Sequence, residues 1–90
     1  SVKDLILTQG LLTTFGSRLY SDYVPVEDDI VIERLRRAGA IVVGKTNVPK
    51  FGYHGVTDNF LFVTTRNAWD VNLHSGGSSG GAAAAAAPGM

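Results

Sequence analysis

Twelve consecutive residues near the end of this 90-residue chain carry no side chain larger than that of serine. They are the run Gly-Gly-Ser-Ser-Gly-Gly at residues 76–81 and the six alanines at residues 82–87. Alanine is the strongest helix former, so this stretch predicts a helix from about residue 80 to residue 87. A flexible linker is one interpretation of the glycines. The other is a polar site, since glycines that lead into a helix N-terminus often build one. The residues themselves leave both open.

An earlier helix is predicted from about residue 28 to residue 38. Asp28 or Asp29 would be its N-cap, and the acidic residues at its start and the arginines at its end suit the helix dipole. Gly39 is a natural residue just after a helix end. One face of this helix is apolar and is expected to meet a core, through Val31, Ile32, Leu35 and Ala38.

Residues 40–43 read Ala-Ile-Val-Val, a continuous apolar run that predicts a short buried strand ending near residue 44. A helix, a single glycine and a buried strand in succession are typical of an α/β fold. One helical turn is expected to start at Pro49. Residues 57–70 are expected to be irregular and anchored by aromatic side chains, with Trp69 as a packing residue.

Residues 39–46 match the letters of a phosphate-binding P-loop, G-x-x-x-x-G-K-[ST]. A true P-loop needs a strand before the first glycine and a helix that starts at the lysine. Here a helix precedes Gly39, and the spacer residues are themselves the predicted strand. Asn-Val-Pro follows, and the residue before a proline is disfavoured in helical geometry. We therefore exclude a nucleotide-binding P-loop.

Composition excludes several other classes. The chain has no cysteine, so it has neither a disulfide nor a thiolate metal site. Eight basic residues balance eight acidic ones, which gives no electrostatic reason to expect nucleic acid or an anionic membrane as a partner. The apolar runs are too short to span a bilayer. His54 and His74 lack the spacing of metal ligands, so no metal is expected.

The ends of the sequence suggest a piece of a longer protein. Ser1 is not an initiator residue, and the chain opens in an apolar run, whereas natural domains usually begin and end in polar segments. No basic segment followed by an apolar one marks a secretory signal, and we expect a cytoplasmic location. We interpret residues 1–90 as a single partial domain.

Several segments, in order along the chain, resemble the amidase signature family of serine hydrolases. The resemblance covers essentially the whole chain, and the ordered set is far more specific than any single segment. The matching segments are Val2-Lys3-Asp4-Leu5, residues 34–49, Gly55-Val56-Thr57-Asp58-Asn59, Thr65-Arg66-Asn67 with Trp69-Asp70, and residues 76–81 before the alanines.

This family hydrolyses amides with a Ser–cis-Ser–Lys triad. By motif position, the resemblance implies that Lys3 is the general base and that Ser78 is the bridging serine, preceded by a cis Gly77–Ser78 peptide bond. Ser79 would be a supporting hydrogen-bonding residue in the same loop. A lysine accepts a proton only when it is neutral, a form that burial favours and a nearby carboxylate opposes. We therefore expect the side chain of Asp4 to point away from Lys3.

The resemblance also implies an α/β fold, an incomplete piece of a mixed sheet with helices on both faces. The family's nucleophilic serine and oxyanion-hole amides lie in a later Gly-Ser segment, beyond Met90. The substrate would be a small-molecule carboxylic acid amide, with no cofactor. Without a nucleophile the covalent route is closed, so we expect the isolated chain to be inactive and poorly stable, with residues 41–43 exposed.

Three alternatives stay open. The chain is similar to the amidase component of a tRNA-dependent amidotransferase, which would need a partner protein, although residues 51–59 look more like the general amidases. A non-catalytic pseudoenzyme fragment is the second alternative, and an α/β piece without a site is the third. Four residues depart from the family pattern: Lys50, Val63, Ala68 and Pro88. Pro88 is expected to interrupt the second helix. Val63 and Pro88 together favour a degraded, non-functional copy of the family sequence.

Overall fold

A computed structural model describes all 90 residues, and it has the α/β composition that the sequence predicts. Two short strands, two α-helices and two 3-10 turns are connected by long irregular segments. In chain order, the strands and helices are β1 (Val2–Lys3), α1 (Ile30–Arg37), β2 (Lys45–Thr46) and α2 (Gly80–Ala86), and the 3-10 turns are Arg18–Tyr20 and Lys50–Gly52.

The two strands form a parallel pair, with Val2 opposite Lys45 and Lys3 opposite Thr46. Helix α2 contacts both strands. The contact is close because Gly81 has no side chain: a Cβ atom there would lie 2.5 Å from the backbone nitrogen and oxygen of Asn47. The small residues of the Gly-Ala stretch thus allow α2 to lie directly against the end of β2.

The predicted strand at residues 40–43 is wrong. These residues belong to no strand, and β2 begins two residues after Val43. The reason is register: β1 pairs with residues 45 and 46, and the amide of Val2 donates to the carbonyl of Gly44 at 2.9 Å. A segment forms a strand only where a neighbouring strand pairs with it. Because β1 pairs with Lys45 and Thr46 alone, residues 40–43 have no partner strand. Ile41 and Val43 are exposed, as expected for the separate chain, but the expected exposure of Val42 is wrong, since Val42 is half-buried.

Helix α1 lies within the predicted range of residues 28–38, but its apolar face is largely uncovered. Ile32 is buried, whereas Val31, Leu35 and Ala38 are exposed. The prediction that this whole face meets a core is therefore wrong for the chain as described. Only the side of α1 that carries Ile32 is covered by the rest of the chain.

The aspartates at the start of α1 are used differently from a simple cap. Asp29 occupies the N-cap position without a side-chain bond to the helix. Its carboxylate instead accepts a hydrogen bond from the amide of Leu7 at 2.7 Å, and Asp28 accepts one from the amide of Gln9 at 2.6 Å. The two carboxylates thereby fasten the segment after β1 to the start of α1.

The second predicted helix and the turn near Pro49 are confirmed within a residue, since α2 ends at Ala86 and a 3-10 turn starts at Lys50. Pro88 does not interrupt α2, because the helix ends before it, and prolines are common just after a helix end. At eight and seven residues, neither α-helix has the length that crossing a membrane requires.

The buried core contains few large apolar side chains: Val2, Ile32 and Val48. Most other buried side chains are polar, chiefly threonines near the strands. The prediction that aromatic residues anchor residues 57–70 is wrong, since Phe60 is 80% and Trp69 is 83% exposed. The Arg18 guanidinium lies over the Phe60 ring, 5.2 Å from its centroid, but this single contact leaves the ring mostly exposed.

Candidate active site

Lys3 is placed by β1 beside the Gly-Ser run that precedes α2. Its Nζ atom donates to the Oγ atom of Ser78 at 2.7 Å and to the Oγ atom of Ser79 at 2.8 Å. The structure thus brings together three side chains that the sequence separates by 75 and 76 positions. These are the polar side chains that the family resemblance predicts for the site.

Asp4, the neighbour of Lys3, points away from it, as expected. Successive side chains along an extended segment alternate in direction, and the carboxylate of Asp4 enters a buried cluster. One of its oxygens accepts hydrogen bonds from both the amide and the hydroxyl of Thr14. The other oxygen lies 3.6 Å from the Nζ atom of Lys45. No carboxylate therefore pairs with Lys3.

Lys45 is a largely buried lysine, and in the sequence it stands out only as part of the rejected P-loop. Its Nζ atom donates to the carbonyl of Ile6 at 2.6 Å and to the hydroxyls of Thr8 at 3.2 Å and Thr13 at 2.9 Å. Burial lowers the pKa of Lys45 below its usual value, and the charge of Asp4 opposes that shift in part. The register of β1 against β2 places Lys45 beside Asp4, and no sequence motif predicts this contact.

Gly77 and Ser78 are joined by a cis peptide bond, as predicted. The glycine at position 77 is required by a close approach of the neighbouring chain. A Cβ atom there would lie 2.8 Å from the carbonyl carbon of Gly55 and 2.8 Å from the carbonyl oxygen of His54. This contact explains why a residue without a side chain precedes Ser78.

Residues 76–80, which we name the serine loop, are held at both ends by one side chain. The hydroxyl of Thr57 donates to the carbonyl of Gly76 at 2.8 Å and accepts from the amide of Gly80 at 3.1 Å. Thr57 is completely buried. In the sequence, Thr57 lies in a segment that resembles the family, but Thr57 itself has no predicted role. A single threonine in an irregular region gives no indication of such a contact.

Two cavities lie near the site, but neither Lys3 nor Ser78 lines them. A cavity of about 670 Å³ lies on the side of Asp4 and Lys45, and one of about 810 Å³ lies beside the Lys50–Gly52 turn and Phe60. No group of three or more histidine, cysteine, aspartate or glutamate side chains is placed to hold a metal ion. What the site can do follows from its amine and two hydroxyls, which can pass a proton between them.

Comparison with known proteins gives the family. The family model described as Amidase matches residues 1–90. The chain belongs to the amidase family. Its amidase relatives include an acylamidase from Rhodococcus erythropolis, which is 47% identical over all 90 residues. A glutamyl-tRNA(Gln) amidotransferase subunit from Sulfurisphaera tokodaii is also 47% identical over 90 residues.

Solved structures of amidase relatives have the same fold over this stretch. The corresponding glutamyl-tRNA(Gln) amidotransferase subunit from Thermotoga maritima superposes with a TM-score of 0.89 at 45% identity, over 93% of this chain. A 6-aminohexanoate cyclic dimer hydrolase complexed with substrate gives 0.87 at 34% identity, over 96% of this chain. The chain spans 19% of the length of each of these four relatives.

Proposed function

We propose that this chain is part of a longer amidase that hydrolyses carboxylic acid amides to an acid and ammonia or an amine. The observation that carries the proposal is the pair of short hydrogen bonds from Lys3 to Ser78 and Ser79. Membership of the amidase family supports it, since the relatives include an acylamidase and a cyclic dimer hydrolase.

In this proposal Lys3 is the general base and Ser78 passes the proton. A nucleophilic serine from outside the 90 residues attacks the amide carbonyl, and its proton moves through the Ser78 hydroxyl to the amine of Lys3. The same path returns the proton to the leaving nitrogen as the carbon–nitrogen bond breaks. Water then hydrolyses the acyl-enzyme, which releases the acid and regenerates the serine. Ser79 donates or accepts hydrogen bonds beside this path, and Gly77 leaves room for the neighbouring backbone.

The lack of a carboxylate beside Lys3 supports a role as a base. Asp4 is occupied by Thr14 and Lys45 and leaves the Lys3 amine facing only hydroxyls. A paired carboxylate would favour the charged form of a lysine, which cannot accept a proton. The arrangement therefore separates a structural lysine, Lys45, from the one that we propose acts in catalysis.

The first test is to read the complete coding sequence past Met90. We expect the frame to continue into a further Gly-Ser segment that supplies the nucleophile, and the separate 90-residue chain to have no amidase activity. A stop codon directly after Met90, or amide turnover by the separate chain, would contradict the proposal.

The second test replaces Lys3 in the complete enzyme. We expect Lys3→Met to lower kcat/KM for benzamide between about 10²- and 10⁴-fold, the usual range for a general base. Lys50→Met is the matched control, because Lys50 is exposed and has no bond to the serines. Equal activity of both variants would exclude Lys3 as the base.

A second candidate is a component of an amidotransferase, which the equal identity to an amidotransferase subunit supports. The two candidates differ in their dependence on a partner. An amidase hydrolyses benzamide without help, whereas an amidotransferase component would release ammonia from glutamine efficiently only in its complex. Assays of the purified complete chain with each substrate distinguish them.

A further inference from the structure

Both ends of the serine loop are attached to one buried hydroxyl. Thr57 Oγ1 lies 2.8 Å from the carbonyl oxygen of Gly76 and 3.1 Å from the amide nitrogen of Gly80. A hydroxyl has one proton to give and lone pairs to accept with. A single hydroxyl can therefore donate to the carbonyl at one end of the loop and accept from the amide at the other end.

The backbone around Thr57 is itself fixed to the chain that enters the loop. The carbonyl of Thr57 accepts from the amide of Thr65 at 2.9 Å. The carbonyl of Thr65 in turn accepts from the amide of Ser75 at 3.3 Å and from its hydroxyl at 3.2 Å. Thr57 is thus a rigid point of attachment, since it is completely buried and bonded through both backbone and side chain.

Few other hydrogen bonds hold the loop, although Gly77 also packs closely against the backbone of residues 54–56. Ser79 is exposed and Ser78 is half-buried. Beyond the bonds from Lys3, the loop bonds to the exposed side chain of His74 and to the first turn of α2. The positions of the two serine hydroxyls therefore depend strongly on the bonds to Thr57.

We propose that Thr57 is a positioning residue for the amidase reaction, which sets where Ser78 and Ser79 present their hydroxyls to Lys3. This inference rests on the proposed function. Without the Thr57 hydroxyl, the carbonyl of Gly76 and the amide of Gly80 lose their partners and the loop shifts to find others. A displacement of about 1 Å in a catalytic arrangement can cost on the order of 100-fold in rate.

The test compares three substitutions in the complete enzyme. Thr57→Val keeps the branched shape and removes the hydroxyl, and we expect kcat to fall about 10- to 100-fold with KM within about threefold. Thr57→Ser retains the hydroxyl and should keep kcat within about threefold. Thr13→Val is the matched control: Thr13 is equally buried and its hydroxyl bonds to Leu11 and Lys45, away from the serine loop.

A double substitution separates positioning from a purely structural effect. If Thr57 acts through Ser78, Thr57→Val should cause little further loss in a Ser78→Ala background, measured with p-nitrophenyl acetate so that low rates are detectable. The same fold-loss in both backgrounds would overturn the inference. So would equal losses for Thr57→Ser and Thr57→Val, or unchanged kcat in Thr57→Val.

Failure of this inference is distinguishable from failure of the proposed function. If Lys3→Met is inactive while Thr57→Val has normal kcat, only the role of Thr57 is wrong. If Lys3→Met is fully active, the proposed function itself is wrong. Should Thr57→Val fail to fold, Thr57→Ala, with Thr13→Ala as its control, leaves room for a water and gives the same comparison.

Discussion

The amine of Lys3 lies almost equally close to two consecutive hydroxyls, 2.7 Å from that of Ser78 and 2.8 Å from that of Ser79. The two serines differ in their surroundings, since Ser78 is half-buried and Ser79 is exposed. Equal distance therefore need not mean equal function. A hydroxyl shielded from water has fewer competing partners and is better suited to pass a proton in one direction.

This difference predicts unequal effects of removing each hydroxyl. In the complete enzyme, Ser78→Ala should lower kcat/KM between about 10²- and 10⁴-fold, because it breaks the proton path. Ser79→Ala should lower it about tenfold or less, since it removes one supporting hydrogen bond worth on the order of 1 kcal/mol. Steady-state kinetics with benzamide measure both. A larger loss for Ser79→Ala would reverse the roles that we assign.

Gly77 should tolerate no side chain. A Cβ atom at this position would lie 2.8 Å from backbone atoms of His54 and Gly55, and backbone cannot move aside as a flexible side chain can. We expect Gly77→Ala to lower the free energy of unfolding by about 1–3 kcal/mol and to reduce kcat by moving Ser78. Gly55→Ala is the control, because nothing lies within 4 Å of a Cβ there. Similar stability of the two variants in urea denaturation would contradict this prediction.

The buried pair of Asp4 and Lys45 should couple strongly. The side chains are only 6% and 12% exposed, and they lie 3.6 Å apart. Lys45→Met leaves a buried carboxylate without its cation, which should cost about 3–5 kcal/mol of unfolding free energy. Adding Asp4→Asn should recover part of that loss, a non-additivity that urea denaturation of the complete enzyme measures.

The exposed pair of Glu33 and Arg37 provides the comparison for this experiment. Exposed ion pairs contribute about 0–1 kcal/mol, so Glu33→Gln should change stability very little. If Lys45→Met were no more harmful than Glu33→Gln, the buried cluster would not be a structural element of the fold.

Lys45 also predicts a dependence of stability on pH. Because burial lowers its pKa, the folded protein releases this proton at a lower pH than the unfolded chain does. Between the lowered pKa and the usual value of 10.5, the unfolded chain binds more protons, so this group makes the free energy of unfolding rise with pH. Urea denaturation in alkaline buffers should show a more positive slope for the wild type than for Lys45→Met. Equal slopes would contradict the prediction.

The parts of the structure that the sequence predicts well are those set by local residues or by the family resemblance. The alanine run is enough to place α2, because helix propensity acts within the segment itself. The resemblance leads to Lys3 and Ser78, which composition and spacing could not connect. The charge pair of Lys3 and Asp4 would otherwise be taken for an ordinary exposed pair.

The parts that fail depend on distant partners. Residues 40–43 have the composition of a buried strand, but strand pairing is set by the register of β1, which places the strand at Lys45–Thr46. Apolar patterning likewise predicts a buried face on α1 and an anchor at Trp69, but it cannot show which other residues cover them. The roles of Thr57 and Lys45 arise from contacts across many positions and leave no local pattern.

A last prediction concerns Asn59, whose side chain uses its full hydrogen-bonding capacity to hold the segment after β2. Its amide nitrogen donates to the side-chain oxygen of Asn47 and to the carbonyl of Val48, each at 2.7 Å. Its oxygen accepts from the amides of Leu61 at 2.9 Å and Phe62 at 2.8 Å. Asn59→Ala would remove all of these bonds and should lower the free energy of unfolding by about 2–3 kcal/mol.

Asn72→Ala is the matched control for Asn59→Ala, because Asn72 is exposed and its side chain bonds only to the neighbouring Asp70. It should change stability by about 0.5 kcal/mol or less. Asn59→Asp tests the donor half of the network: it keeps the acceptor for Leu61 and Phe62 but puts a carboxylate oxygen against the oxygens of Asn47 and Val48, so it should destabilise the fold at least as much as Asn59→Ala. If Asn59→Asp were as stable as the wild type, the bonds to Asn47 and Val48 would not hold this segment against the buried Val48.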